Sequence, residues 1–227
     1  MLSSHPVKQN EDKPYHHGDL QNELLRIAAR LGRELGPEAV TIRQVTREAG
    51  VSPTSAYRHY RDQSALMSEV ARIAGAELTE CLETALAQHQ DKPTTERILA
   101  ACFAYYTFAI NEPNFFRCLL TSKEFSLSHV FGVDERVKET PIPTDHPLTP
   151  LTQVFHELAV ERTGEKNPDF IITNIISVWS AVHGYTVLSI DDVLAVMSPD
   201  EPEIYARRVF TNAIRGINFS APEQLEH

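Results

Sequence analysis

Leu24, Ile27, Ala28, Leu31 and Leu35 recur at the i, i+3, i+4, i+7, i+11 spacing of one helix face, and the pattern stops at Gly36-Pro37. Thr41-Ile42-Arg43-Gln44 then reads as a capping box, with Thr41 covering orphan N–H groups and Gln44 reaching back. Ile42, Val45 and Ala49 supply the buried stripe of a short second helix. Gly50 permits the positive φ of a sharp turn, and Ser52-Pro53 offers an N-cap followed by a first-turn proline. A third helix is therefore predicted from about Pro53 to Tyr60, and Asp62 caps a fourth that carries Leu66, Val70 and Ile73 toward Gln90.

Past Pro93 the apolar spacing stays helical. Ile98, Ala101, Cys102 and Tyr105 form one stripe and Leu99, Phe103, Tyr106 and Ile110 another, so this helix is expected at the centre of its domain. Pro113 to about Leu120 is short and apolar, and the less regular stretch 121–147 reads as a mobile connection. Leu151, Val154, Phe155 and Leu158 mark a further helix. After it come an uncharged segment up to Ile190 and a last helix with Ala206, Phe210, Ala213, Ile214 and Ile217 on one face. No alternating strand pattern persists, so the expected class is all-α.

Composition narrows the function classes. At 227 residues, 42% hydrophobic and 23% charged, the chain can bury a proper core. Cys81, Cys102 and Cys118 are widely spaced, form no zinc-finger pattern and read as filler in a reducing cytoplasm. The first residues contain no apolar run of a signal peptide; positions 1–14 are expected to be a disordered arm and 225–227 a tag remnant. Residues 170–190 carry no formal charge for about the length of a membrane span, but Asn174, Ser177, Ser180 and His183 interrupt them. The expectation is a helix buried on most sides within protein, with no membrane partner. The adjacent His16 and His17 lack convergent ligands, so no metal and no cofactor is expected. Neither a nucleophile elbow nor a zinc-protease motif or phosphate-binding glycine loop is present, which argues against an enzyme.

Charge is unevenly spread. The net charge is -10, yet from Lys8 to Arg61 nine Lys and Arg face seven Asp and Glu, a net of +2 that leaves -12 for the remainder. Between Thr41 and Arg61, Arg43, Arg47, Arg58 and Arg61 stand against Glu48 alone. At about 100° per residue, Ala56, Tyr60, Pro53 and His59 fall on one side of the third helix. Thr54, Tyr57, Arg58 and Arg61 fall on the other. The outer arc is rich in donors suited to phosphate oxygens and base edges. A helix, a glycine turn and a capped short helix form a helix-turn-helix, whose second helix enters the DNA major groove. The competing interpretation is an ordinary solvated helix face.

The segment from "YHHGDL" (15–20) through "TIRQVTREAGVSPTSAYRHYRDQSALM" resembles the N-terminal domain of TetR-family transcriptional regulators. The later "WSAVHGYTVL" (179–188) is similar to the Trp-His-Gly element of one C-terminal subclass of that family. The resemblance implies a helix-turn-helix DNA-binding domain at 15–62, joined by a long helix to a C-terminal helical bundle for ligand binding and dimerisation at 63–220. About nine helices are expected in all. It implies a cytoplasmic, nucleoid-associated homodimer paired through its last two helices, most simply a repressor. Such a dimer binds a near-palindromic double-stranded DNA operator and is released by a small-molecule effector. Matched by position, Tyr57 and His59 look like phosphate contacts and Thr41 caps the second helix near the backbone. Ser52, Thr54, Ser55 and Arg58 occupy base-reading positions, while Arg43 reaches phosphate or base. Tyr60 matches the family's packing aromatic. Gln63 stands where the family often carries a phosphate-binding lysine, and Arg61 is expected to supply that charge.

In the regulatory half, Phe103, Tyr106, Phe115, Phe116, Phe155 and Trp179 are candidate pocket residues, with plain core packing as the alternative. Three roles are open to His183: binding a ligand, donating to a buried carbonyl, or crossing a dimer seam. Gly184 is expected to let another helix approach closely. A helix-turn-helix protein acting through protein contacts or nucleoid organisation is the rival function.

Overall fold

Nine α-helices and no strand make up the described residues, 17–121, 146–164, 168–194 and 202–217, of the computed structural model. The arm at 1–14, the terminal tripeptide and most of the 121–147 connection lie outside them. The first three helices are α1 (His17–Leu35), α2 (Ile42–Ala49) and α3 (Pro53–Ala56), with a 3₁₀ turn at Pro37–Ala39 between α1 and α2. Then come α4 (Gln63–Gln88), α5 (Thr94–Asn111) and α6 (Pro113–Thr121). The last are α7 (Thr149–Thr163), α8 (Pro168–Ile190) and α9 (Pro202–Arg215).

The apolar stripes explain the packing. Leu24, Ile27, Ala28 and Leu31 of α1 are buried against α2, α4 and α6, while Leu35, assigned to the same face, is 59% exposed because the helix ends there. Two-faced α5 contacts α4, α6, α7, α8 and α9, the central position its double stripe demands. The core is one continuous cluster from Leu20 to Ile214, and α4 runs through it with Leu66, Val70, Leu78 and Leu82 all buried. Each such side chain contributes about 1.5–3 kcal/mol relative to exposure.

Helix α8 differs from its expectation. Only one side is buried, through Ile171, Ile175, Val178, Val182 and Thr186, whereas Ile176 and Leu188 are exposed. Among the described residues no atom lies within 4 Å of where a Cβ on Gly184 would stand. The helices packed against α8 (α5, α7 and α9) are too few to surround it.

Helix α1 is tied at its C-terminal end to α4 and to the start of α6. Arg33 bonds both carboxylate oxygens of Glu77 at 2.6 and 2.8 Å, pairs with Glu112 at 2.9 Å and lies 4.1 Å over the Phe115 ring. The Asn114 amide donates to the Glu34 carbonyl at 3.0 Å. At Gly32 a Cβ would meet Cys118 Sγ at 2.9 Å and Val40 and Val70 at 3.3 Å, so α1, α4 and α6 close on a position with no room for a side chain. Gly50 is the reverse case, with φ +68° and open space around it. Gly50→Ala is expected to cost about 1–2 kcal/mol of left-handed strain and to leave the packing intact. Gly32→Ala forces helices apart and should cost more and loosen α6. Urea unfolding of both variants checks the order.

Candidate functional site

The turn between α2 and α3 is built from backbone chemistry. Thr41 accepts the Gln44 N–H at 3.1 Å, but its own N–H goes to the Ala39 carbonyl at 2.9 Å. The capping box is thus formed on one side only, because the 3₁₀ turn already supplies the partner expected from Gln44. At the other end, Gly50 N–H bonds Arg47 O and Val51 N–H bonds Thr46 O at 3.0 Å, the paired pattern that closes a helix through a left-handed glycine. Ser52 then accepts the Ser55 N–H at 3.3 Å, and Pro53 opens α3.

Regular α-helix in α3 covers only Pro53–Ala56, shorter than the expected run to Tyr60. Beyond it the Tyr57 N–H still bonds Pro53 O at α spacing, but Ala56 O accepts both the His59 N–H, three residues on, and the Tyr60 N–H, four residues on. Sharing one carbonyl between two donors winds the chain toward α4 and ends the helix early. Ala56 and Tyr60 nevertheless face inward, Tyr60 at 3% exposure with its hydroxyl donating to Gln21 O at 3.3 Å.

The outward side holds most of the candidate DNA contacts. Arg43, Ser52, Thr54, Tyr57, Arg58, Arg61 and Gln63 are exposed, Tyr57 at 55%. Thr41, Ser55 and His59 are half-buried, the first two engaged in the caps. Arg47, which was not among the candidates, is exposed in the last turn of α2; its position in the basic run was the available signal. Among the described residues no carboxylate pairs with Arg43, Arg47 or Arg58, while Glu48, the one acid of the segment, is taken by Arg30 of α1. Arg61 differs: its Nε donates to Asp62 Oδ2 at 2.9 Å, so part of its charge is already compensated. Asp62 also accepts the Ala65 N–H at 2.8 Å as the N-cap of α4, and these two bonds, the backbone one foremost, hold its carboxyl below the ordinary range. That contribution to stability is present above the unfolded-state pKa of an aspartate and is lost as pH falls through the lower folded value.

The candidate pocket residues separate into groups. Phe116 and His183 gather around Tyr105, whose ring is edge-on to Phe116 at 5.4 Å and whose hydroxyl shares a 2.7 Å hydrogen bond with His183 Nδ1. Trp179 stacks on His183 at 4.7 Å, as residues four apart on a helix can. Burial lifts the Tyr105 phenol well above its usual range and lowers His183, so both are neutral at pH 7. Hydrogen bonding from the Trp179 N–H offsets part of the Tyr105 rise. Phe103 and Tyr106 belong elsewhere, packed with Tyr185 on Phe210 of α9. Phe115 faces Arg33 and α1, and Phe155 is fully buried on α7. Tyr105 was not a pocket candidate; its place in a plain apolar stripe hid it. The Cys102 and Cys118 thiols, pushed by burial up to about 12 and about 11, are protonated and unreactive.

A family model described as the tetracyclin repressor-like C-terminal domain matches residues 98–212. One described as bacterial regulatory proteins of the tetR family matches residues 24–70. Among solved structures, a protein of unknown function from Rhodococcus sp. RHA1 is 22% identical, covering 88% of this chain and 98% of its own, with a TM-score of 0.56. A structure described as a putative tetR family transcription regulator from Shewanella sp. PV-4 is 15% identical over 85% and 96% of the two chains, at 0.55. The TetR family transcriptional regulator PfmR from Thermus thermophilus is 20% identical over 86% and 98%, at 0.51. At these identities the structural likeness is one of fold.

Proposed function

The chain belongs to the TetR family of DNA-binding transcriptional regulators, and from that premise we propose that it is a cytoplasmic repressor. It binds a near-palindromic operator as a homodimer and leaves it when a small molecule occupies the regulatory half. The observation that carries this reading is the exposed set of Thr54 on α3 and Tyr57 and Arg58 in the turns that follow it, joined by Arg43 and Arg47 of α2, on a segment whose Ala56 and Tyr60 are buried. Ser52 and Ser55 stand at its start to read bases, Thr41 and His59 flank the phosphates, and Arg61 and Gln63 lie where α4 begins.

Helices α8 and α9 offer the surface for dimerisation. On α8, Thr173, Ile176, Ser177, Ser180, Gly184 and Leu188 fall within an arc of about 120°, uncharged and turned away from the chain's own core. Ile204 and Tyr205 of α9 are exposed as well. An apolar and small-residue face of this kind matches a second copy across a two-fold axis, and Gly184 then serves close approach between subunits. Trp179, His183 and Gly184 support the reading that the regulatory half is of the Trp-His-Gly subclass.

Two third helices on a two-fold dimer should read half-sites separated by roughly 34–36 Å. Selection of bound sequences from a random DNA library is expected to return an inverted repeat with that spacing, and screening small molecules should find one that releases it. A genome-wide map with many weak sites and no repeat would instead support nucleoid organisation. Leu188→Glu should shift the protein to monomers in sedimentation and lower operator affinity in parallel; a dimer unaffected by this change would exclude the α8 face.

A further inference from the structure

Helix α8 ends on unfavourable charges. Asp191 and Asp192 follow its last residue, Ile190, where the helix dipole is already negative. Asp192 has φ +56°, the only positive φ outside glycine among the described residues, and the next N–H, of Val193, returns to Leu188 O at 3.0 Å. This end is closed from another helix. Arg117 of α6 donates to the Ile190 carbonyl at 3.1 Å and to Asp191 Oδ1 at 2.6 Å. Among the described residues no other cation pairs with either aspartate.

The remaining sides of α6 are committed elsewhere. Asn114 and Phe115 hold the end of α1 through Glu34 O and Arg33, and Cys118 Sγ lies where a side chain on Gly32 would stand. Phe116 packs on Tyr105 of α5. A helix of nine residues, about 13 Å long, thus has α1 on one side and the end of α8 on another. Tyr60, the buried anchor of the reading segment, bonds α1 at Gln21 O. Gln21 precedes Gly32 by about 16 Å along the helix. A tilt of α1 by about 10° about its contact with α6 carries that anchor roughly 3 Å, close to one base-pair step.

The geometry points to Arg117 as a positioning residue for operator binding. It ties the end of α8 to the helix that holds α1, and so fixes the two reading heads of a dimer at one spacing. This rests on the dimeric operator reading above and adds the part that sets its register. Leu188, exposed in the last turn of α8, belongs to the face assigned to the second copy, so the tie begins where the two copies meet. Arg117 itself touches no DNA in this scheme.

Arg117→Met keeps the apolar stem and removes the guanidinium. The variant and the unaltered protein are titrated against the selected operator, the same operator with two base pairs inserted between its half-sites, and a single half-site. Affinity for the selected operator is expected to fall roughly three- to ten-fold, the range spanned by a half-exposed ion pair with one added hydrogen bond. Preference over the expanded operator should shrink by the same factor. Affinity for the single half-site should stay within about two-fold, and sedimentation should still show a dimer. Arg117→Lys, which keeps the cation, should recover most of the loss.

An unchanged spacing preference overturns the proposal. So does an equal loss on the half-site, which means that the reading segment itself is disturbed, or loss of the dimer, which places Arg117 in the seam. Should Arg117→Met fail to fold, Asp191→Asn at the exposed helix end decides by the same comparison. If the unaltered protein shows no spacing preference, the dimeric operator reading fails and the tie falls with it. A preference that survives both substitutions removes the tie alone.

Discussion

Arg58→Ala is expected to weaken operator binding by roughly 10- to 100-fold, about 1–3 kcal/mol, the loss typical of one good arginine contact in the major groove. The side chain is exposed and pairs with no carboxylate among the described residues, so its removal is expected to leave the fold untouched. Titrations at several salt concentrations separate its possible roles. Loss of a base contact relaxes sequence preference, whereas loss of a phosphate contact lowers the salt slope by about one ion. Tyr57→Phe, which deletes one hydroxyl from a 55% exposed ring, should weaken binding less. Arg61→Ala should also be milder, because Asp62 already holds that guanidinium at 2.9 Å. If Arg58→Ala and Tyr57→Phe both bind like the unaltered protein, the third helix is not the reading element.

Phe116→Ala is expected to destabilise the protein by about 3–5 kcal/mol, the usual loss for a fully buried phenylalanine when its surroundings cannot collapse. For a chain of this size that lowers Tm by roughly 10 °C. Phe116 is fully buried, with the Tyr105 ring edge-on at 5.4 Å and His183 at 6.2 Å. Phe116→Leu should recover most of the loss. A drop below about 1 kcal/mol for the alanine variant, measured by chemical denaturation, would mean that α6 does not pack as described; a full-sized loss is expected for large-to-small changes only at tightly filled positions.

Local patterns were legible because they depend on neighbours a few residues apart. The glycine turn at Gly50, the caps at Thr41, Ser52 and Asp62 and the inward pair Ala56 and Tyr60 follow from backbone geometry and the 3.6-residue period. The same logic marked α5 as central from its two apolar stripes, and five helices do pack on it. Where a local rule competed with a distant or adjoining partner it misled. The Gln44 half of the capping box is missing because Ala39 had already claimed the Thr41 N–H, and α3 ends early because Ala56 O receives two donors. Leu35 keeps the period of its face and is still exposed.

By itself, then, the order of residues determined an all-helical chain, a helix-turn-helix near its start and a donor-rich outer arc in an otherwise acidic protein. Only the tertiary structure decided which aromatic side chains meet. Tyr105, read as ordinary stripe, pairs with His183 from 78 positions away, while Phe103, Phe115 and Phe116 go to three different neighbours. Helical periodicity states which way a side chain faces, since that is set by the backbone over one turn. Which partner waits on that side depends on how separate helices cross, and no local period encodes it.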